Sequence, residues 1–356
     1  MSSDTPIPWT DATREADFER WLAPLCLSHR LDRNSLAPAS ADASFRRYFR
    51  ILGKADAPVA SMIIMDAPPP QEDVRPFIDV ARRLQAAGLH APQVLAADES
   101  RGFLLLSDLG QRLYLDALRE ADAAQAHRLM LDALAALATW QRAGSADGLP
   151  AYDDELLRRE MQLFPDWCVA REHGITWTDA QQATWTRVTN ALVRSALAQP
   201  QVAVHRDWMP RNLMVCEPNP GILDFQDAVR GPVTYDIASL LRDAFLSWDE
   251  EREIDWAARW WERARRDGVL QDHAMAEDFG EAWRALEWMG LQRHLKVAGI
   301  FCRLKHRDGK DRYAADLPRF FAYITKVALR YRQLQPLVAL IEPMSGPLVT
   351  TGFSMR

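Results

Sequence analysis

Between residues 202 and 236 the sequence reads VAVHRDWMPRNLMVCEPNPGILDFQDAVRGPVTYD, and its oxygen-bearing side chains fall in an order that could do chemistry. Asp207 lies two positions after His205 and five before Asn212, and Asp224 follows just ahead of Phe225. Val202 and Val204 alternate into the charged loop His205-Arg206-Asp207. Residues 212–215 read as a strand, CEPNPG as a turn and residues 222–225 as the returning strand. Such a hairpin brings Asn212 and Asp224 to one end, with Asp207 on the loop that feeds it. An amide oxygen and a carboxylate are hard donors of the kind Mg²⁺ takes, and Mg²⁺ keeps its other positions for water and phosphate. A separate carboxylate, Asp207, can orient a hydroxyl and accept its proton. The chemistry these groups point to is metal-assisted phosphoryl transfer. Any one of them alone would read as a turn residue or a strand-end cap.

The surrounding elements have to position that segment. Residues 17–25 read as a short amphipathic helix, and FRRYFRI (45–51) and SMIIM (61–65) as strands. Asp66-Ala67-Pro68-Pro69-Pro70 must leave the ladder, because proline has no N–H to donate. Residues 75–87 read as a helix stopped by Gly88, and 93–97 and 103–106 as two more strands. After Asp108-Leu109-Gly110 the texture changes. Residues 114–143, 155–164 and 179–197 read as helices, the 202–225 β-region interrupts, and helices resume at Tyr235. Thr234 is placed to cap a helix on which Ile237, Leu240, Leu241, Ala244 and Phe245 recur at helical spacing. The expected fold class is α+β, with a small β-rich lobe over 1–109 for the nucleotide and a larger, mostly helical lobe over 110–356 for catalysis and substrate.

Composition narrows the partners. The chain has 356 residues, a formal net charge of -6 and 48% hydrophobic residues, which fits a globular protein of two lobes and argues against a nucleic-acid partner. No stretch is long enough to cross a bilayer, and MSSDTPIPWT lacks the basic-then-apolar pattern of a secretory signal. The four cysteines show no metal-ligand spacing and the eight histidines no HxxxH pair. The expected setting is the cytoplasm, with reduced thiols, a small-molecule substrate and no obligate protein partner.

HxDxxxxN followed by a strand end D-F is the catalytic-loop and metal-binding pattern of protein-kinase-like enzymes. The chain resembles the aminoglycoside-phosphotransferase type of kinase, the group that includes choline and homoserine kinases. The resemblance covers most of the chain and implies a bilobal kinase-like fold. Carried over by position, it makes Asp207 the catalytic base and Asn212 and Asp224 the Mg²⁺ ligands beside ATP. It makes His205 and Arg206 supports of the loop, and Asp236 a buried brace at the start of the following helix.

The small lobe departs from the kinase pattern. The candidate phosphate loop, 39–47, has no glycine, so Ser40 and Ser44 are the hydroxyls that could add to its N–H groups. Met65 stands where a strand lysine is expected. Arg46, Arg47 or Arg50 could supply that charge, with Arg46 carried as the nucleotide contact, and Glu72 and Asp79 are candidate acids to pair with it. LLSDLG (105–110) resembles the inter-lobe linker, which places Asp108 and Leu109 beside the adenine.

DASFRRYFR, MDAPPP, HRDWMPRNLMV, LDFQDAVRGPVTYDIASLLRDAF and LQRHLKVAGIFCRLKHRDGKDRY are similar to the N-acetylmuramate/N-acetylglucosamine anomeric kinases of bacterial cell-wall recycling. That resemblance implies transfer to the C1 hydroxyl of an amino sugar, in a group that also lacks the strand lysine. Arg242 and the late basic residues Arg293, Lys296 and Arg303 would suit the lactyl carboxylate of N-acetylmuramate, or form a solvated helix face. Other readings are a kinase of another small alcohol, of the aminoglycoside, choline or homoserine type, and a nucleotide-binding pseudokinase.

Overall fold

The computed structural model describes residues 9, 11–40 and 45–345. The chain divides into two compact units, Met1–Arg112 with Met214–Asp227, and Leu113–Leu213 with Ala228–Arg356. The first unit ends three residues beyond the sequence boundary at 109, and it takes in the hairpin segment that the linear reading assigned to the second lobe.

The first unit begins with α1 (Ala12–Ser28), capped by Asp11, whose carboxylate accepts the Thr13 N–H at 2.8 Å. A five-stranded antiparallel sheet follows, built from β1 (Leu31–Ser40), β2 (Arg47–Gly53), β3 (Ser61–Asp66), β4 (Val94–Asp98) and β5 (Phe103–Ser107) in the order β1-β2-β3-β5-β4. β1 has no counterpart in the sequence reading. Its residues, LDRNSLAPAS, are mostly small or polar and show no alternation, so pairing with β2 places them rather than their own pattern. Phe49, Ile51, Met62, Ile64, Phe103 and Leu105 pack with Phe18 and Leu22 of α1, giving this sheet face its core. α2 (Arg75–Ala86) turns Phe77, Ile78, Ala81 and Leu84 inward, and the Phe77 ring sits 4.6 Å from that of Phe225.

The second unit is mostly helical. The expected helix over 114–143 is two helices, α3 (Tyr114–Glu120) and α4 (Ala123–Ala143). Asp122 divides them by accepting the Gln125 N–H at 2.7 Å as a new N-cap. α5 (Asp154–Leu163) passes directly into a π-helix, Phe164–Glu172. α6 (Asp179–Leu197) opens on a capping box between Thr178 and Gln181. β6 (Gln201–Val204) leads to the charged loop. The short strands β7 (Leu213–Met214) and β8 (Gly221–Ile222) form the hairpin, and β9 (Val229–Pro232) returns to pair antiparallel with β6. The remaining helices are α7 (Tyr235–Leu241), α8 (Glu250–Arg266), α9 (Phe279–Asp308), α10 (Leu317–Arg330) and α11 (Val338–Ser345).

α9 is the axis of this unit, packing against α5, the π-helix, α7 and α10. At Gly299 its backbone comes so close to the α5–π-helix junction that an added Cβ would lie 2.4 Å from the Leu163 carbonyl carbon. Gly299→Ala is therefore expected to lower stability by about 1–3 kcal/mol, the cost of overpacking against backbone that cannot swing aside. Urea unfolding would show it as a lower midpoint at unchanged slope.

Candidate active site

Asp236 organises the loop that carries Asp207. It sits in the first turn of α7, fully buried, and its two carboxylate oxygens accept the backbone N–H groups of His205 at 2.7 Å and Arg206 at 2.9 Å. Thr234 does not cap this helix as expected. Its hydroxyl donates to Gln199 Oε1 at 2.7 Å instead, and α7 ends at Leu241, before the last two apolar positions of the expected pattern. Arg206 has φ +76°, a left-handed conformation uncommon for a residue with a Cβ. Two oriented N–H donors falling on one carboxylate hold the chain in that turn. Past it, the Asp207 N–H donates to His205 Nδ1 at 3.2 Å, and Asn212 Nδ2 donates to the Asp207 carbonyl at 3.0 Å. His205 is completely buried and stacks edge-on against Trp208, with ring centroids 5.5 Å apart.

Burial pushes the Asp236 carboxyl up to about 7, against the pull of the His205 and Arg206 N–H groups and with the Asp207 charge adding to the rise. The native state then holds this proton at pH values where the unfolded chain has released it. Stability from this group is full below the ordinary carboxylate range and falls as pH rises toward 7.

The basic residues expected for substrate lie in different settings. Arg242 is 1% exposed, with its guanidinium bonded to Glu253 at 3.2 Å and Glu287 at 3.0 Å. This corrects its expected place on a substrate surface, since a buried arginine between two carboxylates is an internal ion pair. Arg293 is also buried, and its charge acts on Asp236 and Asp243. Arg303 lies near the end of α9, where burial and the Arg307 charge pull it below its ordinary value. Lys296 is the one tied to the Asp207 loop, through Glu160 and Arg206. It donates to Glu160 Oε1 at 2.9 Å and to the Tyr235 hydroxyl at 3.1 Å, and Asp207 is among the charges that favour its ammonium form. His294, next to Arg293, is fully buried, and burial lowers its pKa to about 3, so it stays neutral.

Glu160 was not singled out in the sequence, yet it joins this cluster by accepting from Arg206, Lys296 and Tyr152. Its signal was present: Leu157, Met161 and Phe164 mark a buried stripe, and Glu160 lies on it three residues from Leu157 and four from Phe164.

In the first unit Arg46, just before β2, and Arg47 and Arg50 within it each have a carboxylate. Arg46 pairs with Glu72 at 2.8 Å, Arg47 with the buried Asp66, which Arg14 of α1 also engages, and Arg50 with Asp108 at 2.6 Å. Of the two acids considered beside the missing lysine, Glu72 meets Arg46 and Asp79 pairs with Arg83 on the surface of α2. Asp108 also accepts from Ser61 at 2.7 Å and from the Gly110 N–H at 2.9 Å, so it shapes the linker from inside. Burial works against its ionisation, but these hydrogen bonds and Arg50 outweigh it and hold the carboxyl below its ordinary value. Leu109 is buried, and its Cδ1 lies 2.9 Å from where a Cβ on Gly221 would stand. Ser44 and the Ser40 side chain lie outside the described residues.

Asp224 adopts φ +60° and accepts from Gln226 Nε2 at 2.9 Å. No group of three or more His, Cys, Asp or Glu among the described residues could hold a metal. The donors on offer are instead an amide oxygen at Asn212 and a carboxylate at Asp224. Asn212 donates its amide N–H to the Asp207 carbonyl, and its amide oxygen is at the other end of the same group. Hard oxygens of this kind fit Mg²⁺ held mainly by phosphate and water.

Asp236→Asn replaces one acceptor oxygen by a donor, which faces a backbone N–H. It is expected to cost about 1–3 kcal/mol of stability. The deficit should shrink by up to about 3 kcal/mol between pH 5 and pH 8, because only the wild type carries the raised carboxyl. Urea unfolding of both proteins at the two pH values measures this. A deficit that grows with pH would contradict the assignment.

Residues 35–273 match the model of the phosphotransferase enzyme family. An N-acetylmuramate/N-acetylglucosamine kinase of Pseudomonas putida is 55% identical over 88% of this chain and 89% of its own length. One from Neisseria meningitidis serogroup B is 43% identical over 96% and 99%. An ADP-bound aminoglycoside phosphotransferase superposes with TM-score 0.57 at 12% identity over 89% of this chain and 99% of its own, which shows the fold. The α+β architecture and the kinase resemblance read from the sequence both hold. With the loop of Asp207 and Asn212 in place, the chain belongs to the phosphotransferase enzyme family, within its N-acetylmuramate/N-acetylglucosamine kinase branch.

Proposed function

We propose that this protein transfers the γ-phosphoryl group of ATP to the C1 hydroxyl of N-acetylmuramate and N-acetylglucosamine, as a cytoplasmic step in the reuse of cell-wall sugars. The observation that carries the reading is the Asp207 loop. Its turn is fixed by Asp236, and Asn212 is tied to the Asp207 carbonyl, in a chain whose relatives bear that substrate in their names.

Asp207 orients the acceptor hydroxyl and takes its proton late in the transfer. Asn212 and Asp224 are the residues assigned to Mg²⁺, which when bound neutralises charge on the phosphates. Most of the rate comes from positioning, since the transferred group needs little covalent help from the protein. Lys296 uses two of its three N–H bonds on Glu160 and Tyr235. The third is the donor we assign to the acceptor sugar, with Arg293 contributing charge behind it and Arg303 at the edge. On the nucleotide side, Arg46 backed by Glu72 takes the phosphate-facing role of the absent lysine, Ser40 and Ser44 belong to the phosphate loop, and Asp108 and Leu109 shape the adenine linker.

Phosphorus NMR of reactions with ATP, Mg²⁺ and each amino sugar tests this directly. A sugar 1-phosphate is expected, and transfer to choline or an aminoglycoside with none to the amino sugars would refute the reading. Asp207→Asn should lower kcat by about 10²–10⁴-fold. Arg46→Ala should raise KM for ATP by about 10-fold, the loss of one charged hydrogen bond to phosphate, while KM for the sugar stays near its wild-type value.

A further inference from the structure

Arg206 is held twice. Its backbone N–H meets Asp236, and its guanidinium meets Glu160 from α5. Glu160 is 6% exposed, and it also takes the Lys296 ammonium from α9 and the Tyr152 hydroxyl from the loop before α5. Lys296 reaches on to Tyr235, the first residue of α7, and Tyr152 packs edge-on against Tyr235 with ring centroids 5.3 Å apart. One carboxylate thus ties together the catalytic loop, α5, α7 and α9. The cluster has two cations to one anion, and the fourth charge is Asp207, which attracts both Arg206 and Lys296.

A left-handed residue with a side chain costs on the order of 1–3 kcal/mol and persists where its surroundings over-determine it. Asp236 alone fixes where the two N–H groups point. The Arg206 side chain adds a second attachment at the same residue, to Glu160, which restrains rotation of the loop about that carboxylate. We infer that Glu160 is a positioning residue for phosphoryl transfer, acting through Arg206 to hold the step that precedes Asp207. The inference rests on the reading of Asp207 as the base. It distinguishes Glu160 from a plain counter-ion of Lys296, because only a clamp acts through Arg206.

The test compares wild type, Glu160→Gln, Arg206→Met and the double variant in phosphate transfer from ATP to N-acetylglucosamine, with kcat and KM for ATP read separately. Each single change is expected to lower kcat by about 10- to 100-fold, the scale of a small displacement of a catalytic group, with KM for ATP within about threefold of wild type. The double variant should fall no further than the worse single one, since both remove the same link. Losses that multiply in the double variant overturn the proposal. So does a folded single variant with kcat within about twofold of wild type. If Glu160→Gln fails to fold in a thermal melt, Arg206→Met decides by the same thresholds, because it leaves Glu160 paired with Lys296. A wild type that phosphorylates neither amino sugar overturns the functional reading alone, and the variants are then compared, on the same thresholds, in hydrolysis of ATP by water. Asp207→Asn runs alongside, and wild-type kcat in that variant would overturn the reading of Asp207 and this inference with it.

Discussion

Two backbone N–H groups falling on one buried carboxylate set the geometry on which the Asp207 loop depends. Asp236 accepts from His205 and Arg206, and that pair of bonds turns the chain through the left-handed step at Arg206. Asp207 and the bond from Asn212 to its carbonyl inherit the direction so fixed. The arrangement carries a cost, since burial resists the negative charge on Asp236. The N–H donors and the nearby Arg293 offset part of it. A carboxylate kept in so unfavourable a place is intelligible only if the turn it imposes is needed.

The helical unit answers the same problem elsewhere with paired charges. Arg242 lies between Glu253 and Glu287, and Glu287 also receives Arg330 and Tyr331. Those groups join α7, α8, α9 and α10 in the interior of the unit. Buried ion pairs add little net stability, but removing one partner strands the other. They therefore fix which helix faces which more firmly than they strengthen the contact.

The family was legible in the sequence because its pattern is compact: HRDWMPRN and LDF fall within one short stretch of the chain. Strands rich in aliphatic residues, such as SMIIM and FLLL, were equally plain. β1 was not, because LDRNSLAPAS has no alternation and is placed by β2. The roles of Arg242 and Glu160 were hidden for a related reason. Both are long-range pairings, and a spacing rule sees a basic residue on a helix without seeing the carboxylates that surround it. The break at Asp122 was a cap inside an unbroken run of helix formers, where propensity alone favours one long helix.

The order of the chain has one more consequence. The unit that holds the five-stranded sheet also claims Met214–Asp227, so its last piece lies a hundred residues beyond the rest of it. On a ribosome the sheet and its two helices emerge first. His90 and Leu109 then wait for their hairpin partners, Ile222 and Gly221, until more than half of the protein has been made. The two units cannot mature in strict succession, as beads on a string would. The nascent sheet has to stay competent while the helices that separate it from its own missing segment are still being synthesised.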